Sequence, residues 1–168
     1  MIALIKKRSL GHPRPPKYHL YQFKITLLDI TPPIWRRIQV PETYSFWDLH
    51  VAIQDAMGWT DHHLHHFKLT DPVTDKEVTI AIPAESYGED SAGELTDWDE
   101  HIADYFSPTD TKAVYEYDFG DGWTHDIEFE GVFPKVPRLR YPKCIGGERT
   151  CPPEDCGSVP GYYSLMKI

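Results

Sequence analysis

Apolar and polar side chains alternate in the first patterned stretch of the chain, residues 18–30. Tyr21, Phe23, Ile25 and Leu27 share one face of the strand that this alternation predicts. A Thr-Pro-Pro break follows, and the stretch IWRRIQVP after it has the character of a second strand. The pattern therefore predicts two closely paired strands, as in a hairpin.

The next stretch changes to a helical period. Ser45 is a good N-cap, Asp48 follows three residues later near the positive end of the helix, and Gly58 stands where a left-handed residue ends a helix. A helix between Ser45 and Gly58 is therefore predicted. The apolar positions that carry the period are Phe46, Leu49, Ile53 and Met57.

Beyond the helix the pattern predicts further strands. The stretch HHLHHFKLTD predicts a strand with His63, His65, Phe67 and Leu69 on one face. The stretch DPVTDKEVTIAI predicts a turn and another strand. Residues 85–104 hold eight acidic residues, which predicts a solvated insertion and then a short helix near 99–106.

The stretch AVYEYDFGDGWTHDIEFEGV predicts a hairpin that turns at Gly120-Asp121-Gly122. Its second strand would carry Trp123, His125, Ile127 and Phe129 on one face. After a Gly- and Pro-rich loop with all three cysteines, GYYSLMKI predicts the start of a terminal helix.

This order of elements lacks regular strand-helix-strand alternation, which favours an α+β fold with a mixed or mainly antiparallel sheet. We expect a β-grasp-like strand-strand-helix-strand opening and a C-terminal hairpin followed by the Cys loop. Residues 1–17 are expected to be a loosely ordered lead-in, and residues 18–168 a single domain.

Charge and composition limit the function classes. The formal charge of −9 disfavours a dedicated nucleic-acid binder, since phosphate neutralisation supplies most of such affinity. However, residues 1–40 hold eight basic residues against one acidic residue, Asp29. No apolar run is long enough to span a membrane, and no signal peptide is recognised, so a cytoplasmic location is expected. The basic residues are Lys6, Lys7, Arg8, Arg14, Lys17, Lys24, Arg36 and Arg37.

The three cysteines have the spacing C-x6-C-x4-C. A structural zinc site needs four nitrogen or sulfur ligands, so Cys144, Cys151 and Cys156 would need a fourth, and His125 on the preceding hairpin is the best candidate. The alternatives are three reduced thiols, a disulfide with a spare thiol, and a nucleophilic cysteine with His125 as its base.

A second metal hypothesis uses His63, His65 and His125 as an open three-ligand site of the kind that suits hydrolysis. A third set of residues is interpreted as fixing loops. In that set Asp118 or Asp121 bonds amides of its own turn, and Arg149 pairs with Asp155 or Asp118.

Four stretches together resemble the plasmid pRiA4b Orf-3-like family, some members of which are labelled insertion-element passenger proteins of a TnpR type. They are ITLLDITPPIWRRIQVP, LHVAIQDAMGWTDHHLHHF, YEYDFGDGWTHDIEFE and GGERTCPPEDCGSVPGY. His63, His65, Asp118, His125 and Cys151 match the family's motifs, whereas Cys156 falls where relatives often carry an apolar residue. The resemblance implies association with plasmids or mobile elements but no defined activity.

We therefore expect a non-catalytic module that binds a macromolecular partner, most simply a protein, with zinc at the Cys loop. The alternatives are a metal-dependent hydrolase built on the histidines and a DNA-binding accessory protein of a mobile element.

Overall fold

A computed structural model describes residues 19–83 and 93–167, and the predicted lead-in 1–17 lies outside them. The described residues form one eight-stranded sheet, two α-helices, α1 Phe46–Met57 and α2 Ser158–Leu165, and a short 3-10 helix, Ile102–Asp104. The strands are β1 His19–Leu27, β2 Ile34–Pro41, β3 His65–Asp71, β4 Lys76–Ala81, β5 Leu95–Thr96, β6 Lys112–Tyr117, β7 Trp123–Pro134 and β8 Lys143–Glu148.

The strand order across the sheet is β5-β4-β3-β6-β7-β1-β2-β8. All neighbours are antiparallel except β4 and β5, so the sheet is mixed, and the predicted α+β class is confirmed. The strand-strand-helix-strand opening is present as β1, β2, α1 and β3. The β6–β7 hairpin lies between β1 and β3, which separates the two ends of that opening in the sheet.

The predicted helix has the expected ends. Ser45 accepts from the Asp48 amide while the Asp48 side chain accepts from the Ser45 amide, which is a capping box, and Gly58 has φ 84. The buried side of α1 covers the sheet, where the rings of Phe46 and Phe67 lie 5.1 Å apart. The core is rich in such ring contacts. Burial of each large apolar side chain stabilises the fold by roughly 1.5–3 kcal/mol.

Three elements differ from the sequence prediction. His63 precedes β3 rather than lying on it, because the strand begins at His65. The short helix expected near 99–106 is only the 3-10 helix, and residues 85–92 of the expected acidic insertion lie outside the described residues. Part of the Cys loop is an edge strand, β8, which pairs with β2. In the described ranges, no helix is both long and apolar enough to cross a membrane.

Candidate functional site

The four predicted zinc ligands occupy separate surroundings. Cys144 is exposed on β8, Cys151 is buried, Cys156 is half-buried, and His125 is fully buried on β7. In residues 19–83 and 93–167, two groups of three His, Cys, Asp or Glu residues have ligand atoms within 4.8 Å of one another. Neither group contains a cysteine or His125, so zinc at the Cys loop stays a prediction that this geometry does not support.

The partners of Cys151 and His125 explain the separation. Cys151 Sγ lies 3.3 Å from Met57 Sδ and 3.1 Å from Arg36 Nη2. Burial raises the pKa of the Cys151 thiol, and the positive charge of the nearby Arg36 acts in the opposite direction by lowering that pKa. The His125 ring instead donates from Nδ1 to the Tyr115 carbonyl at 3.3 Å. Cys151 therefore behaves as a packed thiol against α1, away from a shared ligand position.

The second predicted metal set, His63, His65 and His125, is also divided. His63 belongs to one of the two groups and His65 to the other, while His125 is in neither. The topology gives the reason, because β6 lies between β3 and β7 and keeps the His65 and His125 backbones two strands apart. The open three-histidine site therefore has no geometric support.

A different set of side chains meets at the surface, which we call the His63 cluster: His63, Asp118, Glu154 and Asp155. His63 Nε2 lies 2.9 Å from Asp155 Oδ1, 3.6 Å from Asp118 Oδ2 and 3.9 Å from Glu154 Oε2. This nitrogen is buried, yet it makes no aligned hydrogen bond with any partner in the described chain. An imidazole nitrogen surrounded by carboxylate oxygens is a set of donors that a metal ion can bind.

Three separate segments supply this cluster. His63 comes from the loop between α1 and β3, Asp118 from the turn between β6 and β7, and the two remaining acids from the loop before α2. Asp118 and Asp155 have positive φ angles of 56° and 53°. A left-handed backbone at a non-glycine residue is uncommon and is often found at functional sites.

Further hydrogen bonds hold these segments in place. Asp118 Oδ1 accepts from the amides of Gly120 and Asp121 at 3.0 and 3.2 Å, which leaves Oδ2 facing His63. Glu154 Oε1 accepts from the Thr60 amide at 2.8 Å and from the Tyr117 hydroxyl at 3.1 Å. The cluster therefore has a shell of partners that orients its acids.

Two of the predicted loop-fixing residues, Asp118 and Asp121, hold the β6–β7 turn, whereas Arg149 holds a different loop from the one predicted. Asp118 bonds its own turn, and Asp121 Oδ2 accepts from the Gly157 amide at 3.1 Å, so the turn is tied to the loop before α2. Arg149 does not pair with Asp155 or Asp118, because its Nη1 donates to the Pro32 carbonyl at 3.1 Å. That contact ties the Cys loop to the β1–β2 connection instead.

Next to the cluster, four residues form a closed ring of hydrogen bonds through three side chains and both the side chain and the backbone amide of Asp61. The Gln54 amide donates to the Tyr115 hydroxyl at 3.0 Å, and this hydroxyl then donates to His50 Nδ1 at 2.8 Å. His50 Nε2 donates to Asp61 Oδ1 at 2.8 Å, and the Asp61 amide donates to Gln54 Oε1 at 3.0 Å. Burial, together with the charge of His65, lowers the pKa of His50 to about 4, so the ring holds a neutral imidazole at pH 7.

His65 stacks on His50, with ring centroids 3.5 Å apart and planes 6° apart. Its Nε2 contacts Asp97 Oδ2 at 3.0 Å, and both side chains are fully buried. His65 Nδ1 and Asp97 Oδ1 have no hydrogen-bond partner among residues 19–83 and 93–167. The stacked pair therefore joins α1, which carries His50, to β3, which carries His65.

A surface cavity of about 400 Å³ opens beside this loop. Asp61 connects the cavity to the buried ring, because its side chain is 36% exposed while its Oδ1 accepts from His50. The lining residues are Trp47, Asp61, His62, His63, Leu64 and Ile82.

Sequence reasoning missed the roles of His50, Asp61, Asp97 and Tyr115, and it gave Glu154 no role. The one local signal was the density of polar residues in the stretch WTDHHLHH, directly after the helix. Which of these side chains meet depends on the pairing of β3 with β6, which no short pattern specifies.

The comparisons with known proteins give one family model, one curated relative and one solved structure that are similar to the chain. The family model described as "Plasmid pRiA4b ORF-3-like protein" matches residues 19–168. The uncharacterized protein y4hQ of Sinorhizobium fredii (strain NBRC 101917 / NGR234) is 36% identical over 147 residues, which is 87% of this chain and 71% of that protein. The crystal structure of MM3350, a protein of unknown function from Methanosarcina mazei Go1, has a TM-score of 0.83 at 39% identity and covers 90% of this chain and 81% of its own. Neither relative's name states an activity.

Proposed function

The chain belongs to the plasmid pRiA4b ORF-3-like family, and from that premise we propose that it is a non-catalytic interaction module that binds one divalent cation at the His63 cluster. The observation that carries this proposal is that His63, Asp118 and Asp155 each offer a ligand atom within 4.8 Å of those of the other two. The ion would tie the loop before α2 to the α1–β3 loop and the β6–β7 turn, which already meet where the Asp118 amide donates to the Leu64 carbonyl at 3.0 Å.

Charge supports a cation at this place. Asp118, Glu154 and Asp155 bring three carboxylates around one imidazole, and Asp118 is only 4% exposed. Within the described chain their only ion-pair partner is His63. The Asp118 and Glu154 side chains are largely buried, whereas Asp155 is exposed, and a divalent ion would offset the mutual repulsion of the three carboxylates.

The donor set favours zinc. One imidazole nitrogen with carboxylate oxygens suits Zn²⁺ and also Mn²⁺, whereas Mg²⁺ and Ca²⁺ bind almost entirely through oxygen. The expected cofactor is therefore the zinc ion of the sequence prediction, held by the His63 cluster in place of the Cys loop.

The test is titration of chelator-treated protein with Zn²⁺, Mn²⁺ and Mg²⁺ by calorimetry. Asp118→Asn is the informative variant, because an asparagine Oδ1 can still accept from the Gly120 and Asp121 amides and tolerates a positive φ. We expect zinc affinity to fall by at least about tenfold in this variant, since loss of even outer partners has that effect. The matched control is Asp126→Asn, an exposed acid on β7. Equal zinc affinity in both variants would reject the proposal.

The exposed apolar side chains support a protein partner. They occur at intervals between the end of β7 and the edge strand β8, and exposed apolar side chains and open sheet edges are features at which proteins associate. These residues are Val132, Phe133, Val136, Leu139 and Ile145.

A second candidate function is metal-dependent hydrolysis. The observation in its favour is that His63 belongs both to the cluster and to the cavity lining, so a bound ion would have a substrate-sized space nearby. Hydrolysis of a phosphate or carboxylate ester that requires added zinc and disappears in Asp118→Asn would favour this candidate over a non-catalytic module.

DNA binding and a plasmid or mobile-element association stay predictions. Arg36 and Arg37, two of the eight basic residues that motivated DNA binding, are engaged within the protein. Arg37 makes a two-pronged contact with Glu130 at 2.7 and 2.8 Å. A mobility-shift assay at low ionic strength tests DNA binding, and absence of a shift there would end that hypothesis.

A further inference from the structure

The cavity beside the α1–β3 loop has a composition that the cation at the His63 cluster does not explain. Its volume of about 400 Å³ lies in the range of small-molecule sites. One wall carries the indole of Trp47, the apolar walls are Leu64 and Ile82, and the acid is Asp61. No lysine or arginine is among these lining residues, all of which are described.

Asp61 is held so that one oxygen remains available. Its Oδ1 accepts from His50 at 2.8 Å, and its amide donates to Gln54. Its Oδ2 has no hydrogen-bond partner in the described chain, and the residue has a φ of 56°. A closed ring of hydrogen bonds, of which the two to the Tyr115 hydroxyl are buried, therefore fixes a carboxylate at the cavity in a left-handed backbone conformation, which is a form of preorganisation.

Trp47 is held by ring packing against the same pair of histidines. Its ring lies 5.4 Å from the His50 ring and 6.0 Å from the His65 ring, at tilts of 40° and 42°. The indole thus packs against the stacked imidazole pair while it lines the cavity. Trp47 and Asp61 line the same cavity, and a tryptophan ring together with a carboxylate is a favourable site for an organic cation, since the ring face attracts positive charge.

We propose that this cavity binds an alkylguanidinium group. A planar guanidinium can stack on the Trp47 indole and donate to Asp61 Oδ2, and its aliphatic stem suits the walls formed by Leu64 and Ile82. The formal charge of −9 favours the approach of such a cation. The proposal does not depend on the metal ion, although His63 borders both sites.

The experiment titrates chelator-treated full-length protein with N-acetyl-arginine amide by calorimetry and follows the Trp47 indole N–H by NMR. N-acetyl-citrulline amide is the matched ligand control, because a neutral urea replaces the guanidinium at nearly the same shape. We expect the arginine compound to bind at least about tenfold more tightly and to shift the Trp47 signal. Equal affinity of the two compounds, or no binding by either up to millimolar concentration, would overturn the proposal.

Two variants locate the site. Asp61→Asn keeps an oxygen for His50 and tolerates the positive φ, so it tests the charge without breaking the ring. It should reduce arginine affinity to the citrulline level, and Trp47→Leu should do the same, whereas Asp126→Asn should leave it unchanged. Unchanged affinity in both Asp61→Asn and Trp47→Leu would show that binding is elsewhere and would reject this site.

Two further ligands distinguish the source of the guanidinium. Agmatine represents a free small molecule, and the peptide Gly-Arg-Gly represents an arginine side chain of a protein partner. Tighter binding of agmatine supports a small-molecule ligand, and tighter binding of the peptide supports recognition of a protein. Because metal is absent throughout, failure here leaves the zinc proposal intact, and failure of zinc binding leaves this proposal intact.

Discussion

His63 Nε2 lies 2.9 Å from Asp155 Oδ1, although His63 precedes β3 and Asp155 follows β8. This contact joins the loop after α1 to the loop before α2, and Asp118 approaches the same nitrogen from the β6–β7 turn at 3.6 Å. Three stretches that carry the family resemblance therefore converge on one imidazole. The convergence, rather than the cysteine spacing, is the basis of the metal proposal.

The three thiols should differ in reactivity. In native protein we expect Cys144 to be alkylated first because it is exposed, then Cys156, and Cys151 last because burial both shields it and raises its pKa. Mass spectrometry after timed exposure to iodoacetamide measures the order. If all three cysteines were instead equally protected, and a chelator removed that protection, the result would indicate a zinc site at the cysteines.

Removal of the Tyr115 hydroxyl should break the buried ring. Tyr115→Phe leaves His50 Nδ1 and the Gln54 amide without their partner, so the free energy of unfolding should fall by about 1–3 kcal/mol. Tyr44→Phe is the control, because the described chain shows no hydrogen bond from that hydroxyl. Denaturant unfolding measures both variants, and an equal loss in the two would argue against the closed ring.

Acid should destabilise the protein through its buried histidines. Burial lowers the pKa of His125 from 6.5 to about 4, so the unfolded chain binds a proton in this interval that the folded chain does not. Stability from this residue is therefore complete above about pH 6.5 and is lost as the pH falls toward 4.

The check is unfolding free energy against pH for wild type and His125→Gln. Glutamine does not titrate and can still donate to the Tyr115 carbonyl. We expect a shallower pH dependence between pH 6.5 and 4 in the variant. The same slope in both proteins would contradict the assignment of a neutral buried imidazole.

Local patterns were sufficient for much of the fold. The alternation that buries Phe23 and Ile25, the Ser45 cap and the Gly58 end all act over a few residues, and the structure has each of them. The hairpin turn also depends on adjacent residues, and it lies between β6 and β7 as predicted.

The site was beyond such patterns. His63 was placed on a strand face with His65 because alternation alone does not show where a strand starts, and β3 begins two residues later. The cysteines were grouped because they are close in sequence, but pairing of β8 with β2 places Cys144 opposite Ile38, while Cys151 packs under α1. Contacts between distant loops follow from the order of strands in the sheet, which the sequence of one chain does not reveal by period or spacing.

The most direct test of the metal proposal is X-ray absorption at the zinc edge of protein loaded with one equivalent of Zn²⁺. We predict a first shell of nitrogen and oxygen only, at about 2.0–2.2 Å, which is lost or altered in Asp118→Asn. A sulfur shell at about 2.3 Å would place the ion at the cysteines and would contradict the account.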